Sequence, residues 1–174
     1  DGGGQVWKFN GSTWQSMGYW EATTNTQDIG QDAQGNIWVC GVGGAARRDS
    51  INGTWKRFRI TNTSQFDFFS NDLSLDSKGG LIACANAGPG VGGMVKFDGK
   101  RWTGFNNLQY GLGFDWPFNS DKSERVYVRP SNGDYVVNPM YGGLHSFNGF
   151  TWNNLNTPRD TVKGLAEDST GRLW

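Results

Sequence analysis

The feature that most constrains this chain is a turn that recurs four times at one phase. An apolar residue, Asn or Asp, Gly and, two or three residues later, Trp occur at Phe9-Asn10-Gly11-Ser12-Thr13-Trp14, Ile51-Asn52-Gly53-Thr54-Trp55, Phe97-Asp98-Gly99-Lys100-Arg101-Trp102 and Phe147-Asn148-Gly149-Phe150-Thr151-Trp152. Successive Trp residues lie 41, 47 and 50 positions apart. Asn-Gly and Asp-Gly are strong hairpin signals, because a type I′ turn needs positive φ at both central residues. Each site is therefore expected to join two antiparallel strands, with the Trp opening the second.

A second turn alternates with the first. Asp-x-x-Gly followed by apolar residues appears at Asp32 to Trp38, Asp76 to Ile82 and Asp168 to Trp174, with a weaker copy at Pro130 to Val136 in which Pro stands for the Asp. Here too the chain reads as a hairpin, with its Gly in the left-handed region. The two turns together define a unit of four strands: one before Asp-x-x-Gly, one after it, a third entered through a Gly-Gly pair, and a fourth starting at the Trp. Four strands in about 45 residues is the pattern of a β-propeller blade. A β-sandwich would not demand the same turn at the same phase four times.

The expected fold is thus all-β: a β-propeller of four-stranded antiparallel blades, about four in number, in one domain over 1–174. Its divisions read as a half-blade 1–20, blades 21–60, 61–106 and 107–157 (with a loop insertion at 106–124), and a half-blade 158–174. Because it begins at Asp1 and stops inside a strand-like pattern at Trp174, the chain reads as a processed chain or as a fragment of a larger ring. The remaining blades, or another chain, are then expected to complete that ring, since a sheet this small cannot cover its own faces.

The sequence Asp-x-x-Gly-x-[Leu/Ile]-Trp, then Gly-Gly, then Phe-Asn-Gly-x-x-Trp resembles the two-component-regulator propeller repeat, most clearly at Glu167 to Trp174 and at Asp32 to Trp38. That resemblance implies a propeller and a periplasmic or extracellular location, as in the ligand-sensing domains of hybrid sensor kinases and in secreted or surface proteins. It brings no catalytic motif.

Composition removes other classes. Lys plus Arg and Asp plus Glu are 16 each, so no broad field attracts nucleic acid or anionic lipid. No stretch reaches about 20 apolar residues, so no membrane insertion is expected. Glycine is 27 of 174 and aromatics are 14%, a combination that disordered chains lack. No cluster of His and Cys suggests a metal or cofactor. Cys40 and Cys84 each lie five residues after a turn Gly. Equivalent strands of neighbouring blades lie about 10 Å apart, beyond disulfide reach, so two free buried thiols are expected.

Function is sought where the repeat departs from itself. From blade Trp to next turn Gly the intervals are 21, 24, 31 and 19 residues. The longest carries an insertion around Tyr110, Phe114, Asp115 and Trp116, a mixture of flat apolar faces and one carboxylate that suits a sugar or peptide. Asn86, in the enlarged connection 85–91, and Tyr141, in the corresponding connection of the next blade, belong to the same face. These six are the expected ligand-binding residues, although the aromatic ones also suit packing of the long loop onto its own blade. The four hairpin Trp residues, with Trp38 and Trp174, are expected to fill seams between blades. His145 reads as an ordinary strand residue, and Asp67 and Asp72 as solvated caps before a first strand. The preferred function is a non-catalytic, extracytoplasmic ligand-binding or sensing module for a carbohydrate, peptide or protein. A structural propeller in a surface assembly, and a propeller lyase or glycoside-cleaving enzyme using Asp115 and Asp67, are the alternatives.

Overall fold

A computed structural model describes residues 4–19, 26–41, 44–58, 72–86, 92–106, 123–139, 143–157 and 162–174. Fourteen strands are present among them. The hairpin β1 (Gln5–Phe9) and β2 (Trp14–Tyr19) comes first. The first sheet is β3 (Thr26–Gln31), β4 (Ile37–Gly41), β5 (Gly44–Arg48) and β6 (Trp55–Phe58). The second is β7 (Leu73–Leu75), β8 (Leu81–Asn86), β9 (Gly92–Phe97) and β10 (Trp102–Asn106). The third is β11 (Ser123–Val128), β12 (Tyr135–Pro139), β13 (His145–Phe147) and β14 (Trp152–Asn154). Each sheet is an antiparallel meander in chain order. A final turn closes through a bridge between Glu167 and Leu173. The architecture is all-β, a β-propeller built from four-stranded blades.

Why the sheets stack follows from their second strands. In β4, Trp38, Val39 and Cys40 are all buried; in β8, Leu81, Ile82, Ala83 and Cys84 are all fully buried. A strand with one wet face would alternate, whereas a strand covered on both faces reads as a continuous apolar run. Each sheet is covered by the next. Trp38, Cys40 and Ala45 of the first sheet pack on Leu73, Leu81 and Phe97 of the second. Ile82, Cys84 and Met94 of the second pack on Val126, Val137 and Phe147 of the third. Val39 and Ala46 receive Val6 of the first hairpin. Both cysteines are buried and neither is in a disulfide, as their shared phase required. The corresponding position in β12 is Asn138, fully buried, with its Nδ2 3.5 Å from the Val162 carbonyl.

The repeated turns differ from the type I′ expectation. Gly11, Gly99 and Gly149 have φ of 96° to 100°, but among the described residues only Asn156 is a non-glycine with positive φ. At these three sites the loops span four residues, and the leading Asx caps them instead of turning left-handed; at Asn52-Gly53 the loop spans six residues and Asp49 is the cap, its Oδ1 accepting the amides of Ile51 and Asn52. Asn10 Oδ1 accepts the amides of Ser12 and Thr13 at 2.9 Å each; Asp98 Oδ1 accepts those of Lys100 and Arg101; Asn148 Oδ1 accepts those of Phe150 and Thr151.

In the second turn the Gly is left-handed, with φ of 79° to 81° at Gly35, Gly79, Gly133 and Gly171. The Asp explains its own motif. Asp32 Oδ1 accepts the amides of Gln34 and Asn36, and its Oδ2 accepts Asn36 Nδ2 and the indole Nε1 of Trp38, each at about 3 Å. Asp168 holds Trp174 Nε1 in the same way at 2.9 Å. In the third repeat the residue in the Asp position is Arg129, not Pro130: Gly133 N donates to Arg129 O and Arg129 N to Asp134 O. The turn there is one residue longer.

Seam packing holds for most of the tryptophans. Trp38 is 1% exposed. Trp55 donates its indole N–H to Met17 O of the first hairpin at 2.8 Å, and Trp152 stacks on Phe147 at 4.7 Å. Two depart from expectation. Trp14 is 67% exposed and Trp174 74% exposed, because among the described residues no sheet lies over them as Phe58 and Phe97 lie over Trp38.

Candidate functional site

The innermost strands β3, β7 and β11 run side by side around the ring axis, each starting at the face that carries the connections between blades. The described residues at those starts form a charged cluster. Asp28, Asp72 and Arg125 occupy one repeat position, four residues before Asp32, Asp76 and Arg129. An inner strand has an open edge, so its N–H groups need acceptors. Asp28 Oδ2 accepts the amide of Leu73 at 2.9 Å, and Asp72 Oδ2 accepts the amide of Val126 at 2.9 Å. Ser74 Oγ repeats the device on the amide of Val128 at 3.0 Å. The first sheet thus latches the inner strand of the second, and the second latches that of the third.

Asp72 also meets the guanidinium of Arg125, 3.2 Å from its Oδ1. Its side chain is only 16% exposed, which corrects the expectation of a solvated cap: the latch draws it inward. A cavity of about 330 Å³ lies beside it, lined by Asp72, Ser74, Arg125, Tyr127, Lys163 and Leu165. Lys163 extends the charged cluster to the next repeat. Burial pushes the Asp72 carboxyl up to about 6; the Val126 amide and Arg125 oppose this, and the neighbouring Asp28 carboxylate reinforces it.

A pH dependence follows. A carboxyl whose folded value lies above its unfolded 3.8 stabilises the fold below that lower value, and the contribution is lost as pH rises to about 6. Denaturant unfolding between about pH 4 and pH 7 is expected to show a component falling on the order of 2 kcal/mol across this window. Asp72→Asn, which keeps an acceptor for Val126, should flatten it. An unchanged profile in the variant would show that Asp72 is not its source.

The sequence-derived site residues stand as follows. Asn86 ends β8, paired in register with Gly92. Tyr110, Phe114, Asp115, Trp116 and Tyr141 lie outside the described residues, as does Asp67. By topology the connections that carry them start or end at the same face as the axial cluster. His145 is 7% exposed, its Nδ1 3.2 Å from Gly143 O, and burial holds it below the ordinary histidine value. Among the described residues no group of three or more His, Cys, Asp or Glu could hold a metal ion.

Sequence reasoning missed the axial latch, although its signal was visible. Asp28 and Asp32, Asp72 and Asp76, and Arg125 and Arg129 share a four-residue spacing, with both charges inverted in the third repeat. The inversion makes the seams complementary. Arg125 meets Asp72 behind it, and Arg129 meets Glu167 ahead, with Nε and Nη2 at 2.9 and 2.7 Å from Glu167 Oε1.

No protein-family model matches the chain, and no curated protein matches it. Solved structures do. The gluconolactonase XC5397 from Xanthomonas campestris superposes with a TM-score of 0.65 at 14% identity, over 92% of this chain and 58% of that one. The extracellular domain assigned to the one-component system BT4673 from B. thetaiotaomicron gives 0.62 at 16% identity, over 87% of this chain and 21% of that one. YCF48 bound to D1 peptide gives 0.54 at 16% identity, over 85% and 48%. The chain therefore spans less than two thirds of each of these relatives, and the likeness is one of fold.

Proposed function

We propose that this chain is a non-catalytic ligand-binding or sensing propeller module, located outside the cytoplasm, that takes a carbohydrate, peptide or protein on the face where its blades are connected. The observation that carries the reading is the axial cluster. Asp28, Asp72 and Ser74 are engaged in hydrogen bonds between blades, so the floor of that face is a rigid charged platform. Rigid scaffolds of this kind present recognition residues on loops. Asn86, Tyr110, Phe114, Asp115, Trp116 and Tyr141 are the residues proposed to contact the ligand. Structural similarity to an extracellular domain of a one-component system and to a peptide-bound propeller supports this reading, and so does the repeat pattern.

A glycan and peptide array identifies the ligand class. The double variant Asp115→Ala, Trp116→Ala is then expected to weaken binding of the best hit by about tenfold or more, as loss of an aromatic anchor does, with an unchanged melting temperature. An unchanged ligand profile would instead favour a structural role, in which the remaining blades or another chain complete the ring.

One observation favours a second reading, an enzyme. A carboxyl raised to about 6 beside a cavity, as at Asp72, is suited to general acid catalysis, and a gluconolactonase shares the fold. Turnover of a bound sugar or lactone that Asp72→Asn abolishes would establish it.

A further inference from the structure

At the opposite face, where first and second strands turn, the seams are closed in three different ways. In the first seam Asp32 holds the Trp38 indole, and that ring stacks on Phe58 at 5.3 Å. In the third, Arg129 is held by Glu167 and also donates to Gly171 O at 2.7 Å. In the second the indole is missing, because Ile82 occupies the position of Trp38. Asp76 Oδ1 accepts the amides of Lys78 and Gly80, and its Oδ2 lies 3.7 Å from Lys96 Nζ. Lys96 donates at 2.5 Å to the hydroxyl of Tyr135, which reaches across from the third sheet. A cleft of about 690 Å³ opens beside these groups, lined among others by Gln31, Asp76, Lys78, Lys96, Arg129 and Tyr135.

Acceptors and donors in the cleft are unequally used. Both oxygens of Asp32 are filled by four donors within its own turn; Oδ1 of Asp76 is filled by two amides, and its Oδ2 faces the Lys96 ammonium as an ion pair at 3.7 Å. An ammonium carries three N–H donors, and a phenol that accepts from it directs its own O–H elsewhere. The surplus is therefore of donors, at Lys96 and Tyr135, with Lys78 on the rim. Burial draws the Lys96 ammonium down, but Tyr135 and Asp76 outweigh this and hold it above its ordinary value, so it stays charged. Lys96 pairs in register with Ile82 as Arg47 pairs with Trp38; Arg47 lies over the indole, whereas Lys96, with Ile82 in the place of that ring, turns to Tyr135 and Asp76 and stays 29% exposed.

We propose that this cleft binds an oxyanion, the carboxylate or phosphate group of a small ligand, through Lys96 Nζ and the Tyr135 hydroxyl. It is a second site, on the face opposite the connecting loops. Titration of the ¹⁵N-labelled chain with sodium acetate, glucuronate and inorganic phosphate at constant ionic strength tests it. Saturable amide shifts are expected at 76–78 and 131–135, distinct from any at the loop face. Lys96→Met should weaken binding about tenfold, equal to ~1.4 kcal/mol, and Tyr135→Phe, which preserves the packing, by about threefold. Tighter binding of acetate and glucuronate than of phosphate would identify a carboxylate ligand, and the reverse order a phosphate. Absence of saturation with all three anions, or wild-type affinity in Tyr135→Phe together with any folded Lys96 variant, would overturn the assignment.

Discussion

Trp38→Ala is expected to lower the stability of this chain by about 3–5 kcal/mol, or roughly 10 °C in melting temperature for a domain of this size. Trp38 is 1% exposed and one of the largest fully buried side chains. Its ring stacks on Phe58, meets Phe97 edge-on at 6.1 Å, and lies under the Arg47 guanidinium at 5.7 Å. Removing it opens a cavity across the seam between the first and second sheets, and neither sheet can collapse into it without leaving the ring geometry. Trp38→Phe should cost less, since it refills most of the volume but leaves Asp32 Oδ2 without its indole donor. Equilibrium denaturation of the three proteins gives the comparison. A loss below about 1 kcal/mol for the alanine variant would mean that the seam does not depend on this ring.

Asp32→Ala is the second large effect, about 2–4 kcal/mol, because it leaves the buried indole N–H and the Asn36 side-chain amide without an acceptor and uncaps the turn. Asp32 is 7% exposed and Asn36 9% exposed, so water reaches neither readily. A double-mutant cycle with Trp38→Phe should return a coupling of about 1–2 kcal/mol, the part that belongs to the carboxylate–indole bond. The same chain supplies a control. Asp168 and Trp174 make the same bond at 2.9 Å, yet Trp174 is 74% exposed. Water can replace that bond, so Asp168→Ala should change stability far less. The pH response has a definite sign. Asp32 is held below its ordinary value: burial opposes this, but the Asn36 and Trp38 side-chain bonds with the turn amides outweigh it. Its contribution is present above the unfolded value of 3.8 and is lost as pH falls below it. This lies on the acid side of the window set by Asp72, so the two groups are separable in one titration.

How much of this was legible beforehand depended on whether a feature is local. Asp-x-x-Gly followed by apolar residues encodes a turn whose cap, left-handed Gly and indole partner all lie within seven residues, and the motif was read from spacing alone. The thiols at Cys40 and Cys84 were likewise expected to be free, since equal phase in neighbouring sheets separates them. The hairpin turns were placed at the right residues but given the wrong geometry: at three of them the Asx side-chain oxygen caps a four-residue loop and spares a left-handed Asn or Asp, and at the fourth Asp49 caps a longer one, a choice that dipeptide identity does not distinguish. The axial cluster escaped because its partners are about 45 to 53 residues apart, at Asp28 with Leu73 and Asp72 with Arg125. Only its four-residue echo was visible.

The sequence by itself determined the repeat, the strand order within each sheet and the positions of the described turns, apart from the one-residue shift at Arg129, because those rest on backbone preferences within one short segment. Tertiary structure alone decided which Asp is a latch, which Trp is buried and where donors remain unmatched. Those properties depend on the facing sheet, and identical motifs such as Asp32–Trp38 and Asp168–Trp174 acquire different energies according to whether water or another blade lies against them.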